Sequence, residues 1–72
     1  MIDPGTIQEL LDKEPFDPFR IRLSDGEHVD VLNPSLAVAM ENVLFVAMPS
    51  RDRFKLLSYQ NITSVDSPLN AA

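Results

Sequence analysis

The 72-residue chain contains no cysteine and only two glycines. Without cysteine, neither a disulfide nor a thiolate metal site can stabilise a chain this short, which buries only about 60% of its unfolded surface. Oligomerisation is the remaining common way to stabilise a small domain, so we expect a homo-oligomer. Two glycines are also too few for a glycine-rich phosphate-binding loop.

A long apolar run is missing, and residues 1–11 lack the basic and apolar segments of a secretory signal. A membrane-spanning helix needs about 20 apolar residues. We therefore expect one domain (residues 1–72), in the cytoplasm and without membrane contact. The single histidine, His28, and the absence of calcium-loop spacing leave no cluster for catalysis, a cofactor or a metal. The sequence thus predicts a protein that is not an enzyme.

Positive charge is scarce, because the formal net charge is −5. Phosphate neutralisation by cations supplies most non-specific affinity for nucleic acid, so this balance disfavours a strongly cationic RNA binder. The acidity is concentrated in residues 1–18, however, whereas residues 19–57 carry as many basic as acidic side chains. One hypothesis is that the acidic segment covers a face where RNA would otherwise bind.

Residues 1–18 predict a short helix followed by a proline-rich linker. Thr6 and Glu9 have the spacing of a capping box, which places the helix at about residues 7–13. Two prolines then exclude further helix. A helix of two turns is unstable alone, so it must pack against the rest of the domain.

Residues 19–31 predict a β-hairpin. Apolar and polar side chains alternate on both sides of Asp25-Gly26, a pair that suits the positive φ angles of a tight turn. Asn33-Pro34 then ends the second strand.

Residues 36–48 are apolar at odd and even positions, with only Glu41-Asn42 interrupting the run. This pattern predicts a second strand pair in which residues 43–48 are buried on both faces. A buried helix at residues 35–40 is the alternative, because periodicity alone does not decide for short apolar runs. A strand buried on both faces needs a second layer or a neighbouring subunit.

Residues 53–57 and 62–65 predict two further strands, separated by the polar pivot at residues 58–61. Together these elements predict a mainly β (α+β) domain. A short N-terminal helix precedes a strongly bent small barrel at residues 19–66, and residues 67–72 form a frayed tail.

One helix followed by five short strands resembles the order of an SH3-like barrel of the Sm-like family. "YQNITSVD" (residues 59–66) resembles the second Sm motif of the bacterial RNA chaperone Hfq, and "IRLSDG" (residues 21–26) resembles the first-motif hairpin. The chain also resembles short uncharacterised bacterial proteins with the opening "PFxPFRIxLxDG" (residues 15–26).

The resemblance implies a five-stranded barrel that assembles into a ring or a smaller oligomer by pairing the fourth strand of one subunit with the fifth of the next. It also implies RNA binding. The chain departs from the chaperone at Tyr59 and Gln60, which stand where the chaperone has a basic Lys-His pair.

The basic residues of the predicted strands could form a stripe for phosphates, with Tyr59 as a stacking platform for a base. The candidate RNA- or ligand-binding residues are Arg20, Arg22, Arg53, Lys55, Tyr59, Gln60 and Asn61. The alternative is an ion-paired sheet face, in which arginines meet Glu27 and Asp30, and a tyrosine that only packs its ring.

These observations predict a non-enzymatic, oligomeric binding or scaffold module of Sm-like type, with RNA or a protein as a possible partner. The first alternative is a single-stranded RNA-binding protein similar to the chaperone. The second is a monomeric SH3-like adaptor whose groove, lined by Tyr59 and phenylalanines, takes a peptide.

Overall fold

The computed structural model describes residues 2–68, which form one short helix and six strands. The mainly β, α+β class agrees with the prediction from the sequence. The helix, α1, spans Pro4–Asp12. The strands are β1 Phe19–Leu23, β2 His28–Val31, β3 Ala37–Ala39, β4 Val43–Met48, β5 Arg53–Ser58 and β6 Ile62–Asp66. They form two antiparallel three-stranded sheets, ordered β2-β1-β6 (the first sheet) and β3-β4-β5 (the second sheet).

The expectation of a five-stranded, strongly bent barrel is not matched by the described residues, where six strands lie in two separate three-stranded sheets. The additional strand arises at Pro34, which has no backbone N–H to give to a ladder. The Asn33 side chain accepts hydrogen bonds from the Ser35 backbone N–H (2.9 Å) and hydroxyl (2.8 Å), which fixes a short 3₁₀ turn, Pro34–Leu36. The chain thereby leaves the first sheet after β2 and enters the second at β3.

The same turn decides between the two interpretations of residues 35–40. Residues 37–39 pair with β4 as a strand, so the helix alternative is wrong beyond the three-residue turn. The predicted strand itself begins two residues later than expected, because Ser35 and Leu36 belong to the turn.

α1 begins earlier than the sequence predicted. Asp3 is its N-cap, and the Asp3 carboxylate accepts hydrogen bonds from the Thr6 backbone N–H at 2.9 Å and the Thr6 hydroxyl at 3.1 Å. Pro4 takes the first helical position, where a missing N–H costs nothing. Thr6 therefore lies inside the first turn, and the predicted capping box of Thr6 with Glu9 is wrong.

The hairpin of β1 and β2 has the predicted turn. Gly26 adopts φ +90°, and the Asp25 carboxylate accepts a hydrogen bond from the Glu27 backbone N–H at 2.9 Å. The alternating apolar side chains point into the core, as expected for a sheet with one solvated face.

The buried core lies between one face of each sheet and the apolar side of α1. Its members are Ile7, Leu11, Phe19, Ile21, Leu23, Val29, Val31, Ala37, Leu44, Val46, Leu57, Tyr59 and Ile62. In β4 only Leu44 and Val46 are buried, whereas Val43, Phe45 and Ala47 are partly exposed. The predicted burial of residues 43–48 on both faces is therefore wrong, because α1 packs on the core side and no described element covers the other face.

The predicted frayed tail falls largely outside the described residues. Ser67 and Pro68 follow β6 as a bend. Residues 69–72, the remainder of the predicted tail, lie outside the part of the chain that the structure describes.

Candidate functional site

The outward face of the first sheet carries Arg20, whose guanidinium is held by a neighbouring strand. Its Nε and one terminal nitrogen donate to the two carboxylate oxygens of Asp30, at 2.7 and 3.1 Å. This two-point geometry is the strongest form of a charge-assisted hydrogen bond. The bond from Arg20 holds the pKa of Asp30 below its ordinary value, and raises the pKa of Arg20.

Arg22 lies two residues further along the same face. Its Nε donates to the Asp66 carboxylate of β6 at 2.8 Å. Both arginines of β1 thus meet a carboxylate on a flanking strand, one on each side of β1. The arrangement matches the alternative of an ion-paired sheet face for Asp30, which meets Arg20 as predicted. The predicted pairing of an arginine with Glu27 is wrong, because Glu27 meets Lys55, and the sequence did not identify Asp66 as the partner of Arg22.

Of the two basic residues in β5 of the second sheet, only one has an ion pair within residues 2–68. Lys55 donates to the Glu27 carboxylate at 3.3 Å, which links β5 to the turn of the β1–β2 hairpin. Arg53 is exposed, and it has no ion pair within residues 2–68. The predicted stripe is therefore divided between two sheets, and three of its four cations are neutralised by carboxylates.

Tyr59 follows β5 in a short 3₁₀ turn, Tyr59–Asn61. Its side chain is only 6% exposed, and its hydroxyl donates to the Met40 carbonyl at 2.7 Å, with the Val43 carbonyl at 3.3 Å. Burial raises the pKa of this hydroxyl. The ring would have to leave the core to stack on a base, so the geometry favours the packing interpretation of Tyr59.

The two residues that follow Tyr59 in the same turn face solvent. Gln60 and Asn61 are both exposed, and the Asn61 backbone carbonyl accepts a hydrogen bond from the Ser24 N–H at 2.8 Å. That bond attaches the pivot to the end of β1. The side chains of both residues remain available to a ligand.

β5 is an edge strand of the second sheet, and one set of its backbone groups faces outward. Met40 donates its backbone N–H to the Val43 carbonyl across the β3–β4 turn at 3.0 Å. Because hydrogen-bonded pairs alternate in an antiparallel ladder, the residues of β4 that bond to β5 are Leu44, Val46 and Met48. The backbone groups of the intervening residues of β5 (Phe54, Leu56 and Ser58) therefore point to the open edge.

A groove runs beside this β5 edge. It has a volume of about 400 Å³ and is lined on one side by residues 55–58 of β5. Its other side is formed by the end of β1 with the start of its turn, residues 23–25, and by Asn61. The groove lies where the two sheets fail to meet, and its backbone wall can accept a further strand.

β6 is an edge strand of the first sheet. Leu23 donates its backbone N–H to the Glu27 carbonyl at 2.8 Å, so the backbone groups of Leu23 point toward β2. Because the direction alternates along a strand, the backbone groups of Arg22 point toward β6. Ser64, opposite Arg22, then bonds inward, and the backbone groups of Val65 point to the open edge. β6 thus offers an unpaired edge, five residues long, on the side of the first sheet opposite β2.

An exposed apolar surface also covers the outward side of the second sheet. Phe54 is 61% exposed and Leu56 is 59% exposed, although the neighbouring Leu57 is buried. The sequence signal was the presence of apolar residues at both parities in residues 43–48, which predicted burial on both faces, because it does not reveal that the chain supplies only one covering layer. Residues 53–57 were predicted as a half-buried strand, and in the structure the buried side is that of Leu57.

Among residues 2–68 there is no group of three His, Asp or Glu side chains close enough to hold a metal ion. No helix in that same stretch is both long and apolar enough to cross a membrane. No protein-family model, curated protein or solved structure matches the chain.

Proposed function

We propose that the chain is a non-enzymatic scaffold subunit of Sm-like type that assembles edge to edge. The β5 edge of one copy pairs with the β6 edge of the next. The observation that carries this proposal is the open backbone of β5, which lies beside a groove of about 400 Å³. Unpaired edges promote association, because each free N–H and carbonyl can bond to another chain.

The order of elements supports the Sm-like part of the proposal. The structure has six strands, but β2 and β3 are consecutive and separated by residues 32–36, which include the turn at Pro34. The proposal treats them as the two halves of one strongly bent strand, which gives the Sm-like order of a helix and five strands. The last two strands, β5 and β6, are joined by the short 3₁₀ turn Tyr59–Asn61, as the resemblance to the second Sm motif implies.

The two edges also suit each other in length and charge. β5 has six residues and β6 has five. Pairing β5 with a second β5 would bring two copies of Arg53, which has no ion pair among residues 2–68, to one interface, whereas β6 carries no basic residue. Like charges on paired strands are unfavourable, which favours β6 over a second β5 as the partner of β5.

The test is the mass of the full-length protein in solution, measured by native mass spectrometry, for wild type, Ser58→Pro and Ser58→Ala. Ser58 has φ −78°, which proline tolerates, and its N–H points to the open edge. We expect Ser58→Pro to stay folded and lose the assembly, and Ser58→Ala, which keeps the N–H, to retain it. A monomeric wild type, or an unchanged assembly in Ser58→Pro, would contradict the proposal.

RNA binding remains the second candidate function, and the geometry favours it less. Arg20, Arg22 and Lys55 would have to exchange a carboxylate for a phosphate, and Tyr59 is buried. Adding a short U-rich or A-rich RNA in the same spectra tests this directly. Phosphate binding should weaken steeply with added salt, because counterions compete for the same cations.

A further inference from the structure

The outward side of the second sheet is an apolar face without charge. Its exposed or half-exposed side chains are Val38, Val43, Phe45, Ala47, Phe54 and Leu56, which we call the apolar face. Val38, Phe45 and Leu56 form one cross-strand row. The rings of Phe45 and Phe54 stack with centroids 5.4 Å apart.

The apolar face is not the outer rim of the core. The opposite side of the same three strands carries Ala37, Leu44, Val46 and Leu57, all buried beneath the sheet. Three side chains of the apolar face remain more than half exposed: Val38 at 52%, Leu56 at 59% and Phe54 at 61%. A patch of this kind spans on the order of 300–600 Å², the size at which a monomer's largest apolar patch is often functional.

The charge distribution identifies what fits this face. The charged side chains of β5, Arg53 and Lys55, lie on the other parity of the strand, and no position of the apolar face is charged. The face therefore offers nothing to a phosphate backbone or to a charged peptide. A second copy of the same face needs no charge complement, since a twofold axis places each patch against itself.

The acidic part of the chain also permits this pairing. Residues 1–18 carry five acidic side chains and one lysine. α1, in the middle of this segment, packs on the core side of the second sheet, where Ile7 and Leu11 join the core. Two copies that meet through the apolar face thus keep their acidic helices on the far sides of the complex, where repulsion is weakest.

We infer that the apolar face is a self-association site, at which two copies of this chain pack sheet against sheet across a twofold axis. The inference is independent of the proposed edge pairing and adds a second contact to it. Two patches bury on the order of 600–1,200 Å² in total, below the roughly 1,600 Å² of a standard interface, which corresponds to a weak association. The pairing therefore depends on protein concentration.

The experiment is analytical ultracentrifugation from micromolar to millimolar concentration on wild type, Val38→Lys and Gln8→Lys. Val38 is the member of the apolar face furthest in the strand order from the β5 edge, so its substitution leaves that edge intact. Gln8 is exposed on α1 and receives the same charge away from the face. We expect Val38→Lys to weaken the concentration-dependent step at least tenfold and Gln8→Lys to leave it unchanged. The near-isosteric Val38→Thr, which keeps the strand, should weaken it less.

Ser58→Pro separates this inference from the edge assembly. We expect Ser58→Pro to show a monomer–dimer equilibrium that Val38→Lys abolishes when both changes are combined. If Ser58→Pro is monomeric throughout and wild type has the same mass as Val38→Lys, the face pairing is overturned and the edge assembly stands. If wild type forms only a dimer that Val38→Lys dissociates, the edge assembly fails and the face pairing stands. A wild type that is monomeric at all concentrations overturns both.

Discussion

The two sheets differ most on the sides that face away from the core. The first sheet presents Arg20 and Arg22, each bonded to a carboxylate of a flanking strand. The second sheet presents Val38, Phe54 and Leu56, which are more than half exposed and are not covered by another element among residues 2–68. One outer face satisfies its polar groups within the chain, and the other leaves apolar area in water.

This difference indicates which sheet is better suited to bind a partner. A charged side chain that already has a well-aligned partner gains little from a new one, because the exchange must first break the existing pair. Apolar area in water gains free energy from any covering surface of matching shape. The second sheet, with its open edge and its apolar face, is thus the part of the molecule that a partner can stabilise most.

The largest expected effect contrasts the two sides of the second sheet. Leu44 is fully buried, so Leu44→Ala should lower the free energy of unfolding by roughly 2–5 kcal/mol. Leu56 is 59% exposed on the opposite side, and Leu56→Ala should change it by less than about 0.5 kcal/mol at protein concentrations where copies do not associate. Urea denaturation measures both. Equal losses would mean that the apolar face is buried in the folded molecule.

The first sheet follows from the sequence because its signals are local. Alternation in β1 and β2, the Asp25-Gly26 turn and the break at Pro34 each act over a few residues, and the structure has all three. Of the two ion pairs on this face, only the one with Asp30 was predicted. Asp30 lies on the adjacent strand, but Asp66 comes from β6, and its pairing with Arg22 depends on a long-range register.

The second sheet could be predicted less well, because its burial depends on what covers it. β4 and β5 carry apolar residues at both parities, and sequence cannot tell a two-layer core from an uncovered face. Leu57 and Tyr59 turn inward because they meet the core, which leaves Phe54 and Leu56 outward. The N-cap was missed for a related reason: Thr6 has the capping-box spacing, but Asp3 beside Pro4 provides the stronger helix start.

An intermediate effect should come from Tyr59, which ties the pivot after β5 to the β3–β4 turn. Tyr59→Phe keeps the ring in the core and removes the hydroxyl that donates to the Met40 carbonyl. We expect a loss of about 1 kcal/mol in the free energy of unfolding, the usual net value of one such bond. Urea denaturation measures it. Unchanged stability would show that the bond from the Tyr59 hydroxyl does not stabilise the fold.

The smallest effect should come from the ion pairs of the first sheet. Because Arg20 lowers the pKa of Asp30 below its ordinary 3.8, the carboxylate's contribution to stability is fully present above that value. The contribution is lost as the pH falls through the lower folded-state pKa.

Asp30→Asn should therefore lower the urea midpoint modestly at pH 7, and the difference from wild type should shrink at the acidic end of a pH series, where Asp30 is protonated in both states. Asp66→Asn is the matched control. Asp66 meets Arg22 through a single, more exposed bond, so its loss should matter less at pH 7. A difference for Asp30→Asn that stays constant with pH would show that the charge of Asp30 contributes nothing to stability. The outward face of the first sheet would then owe its order to the backbone ladder alone.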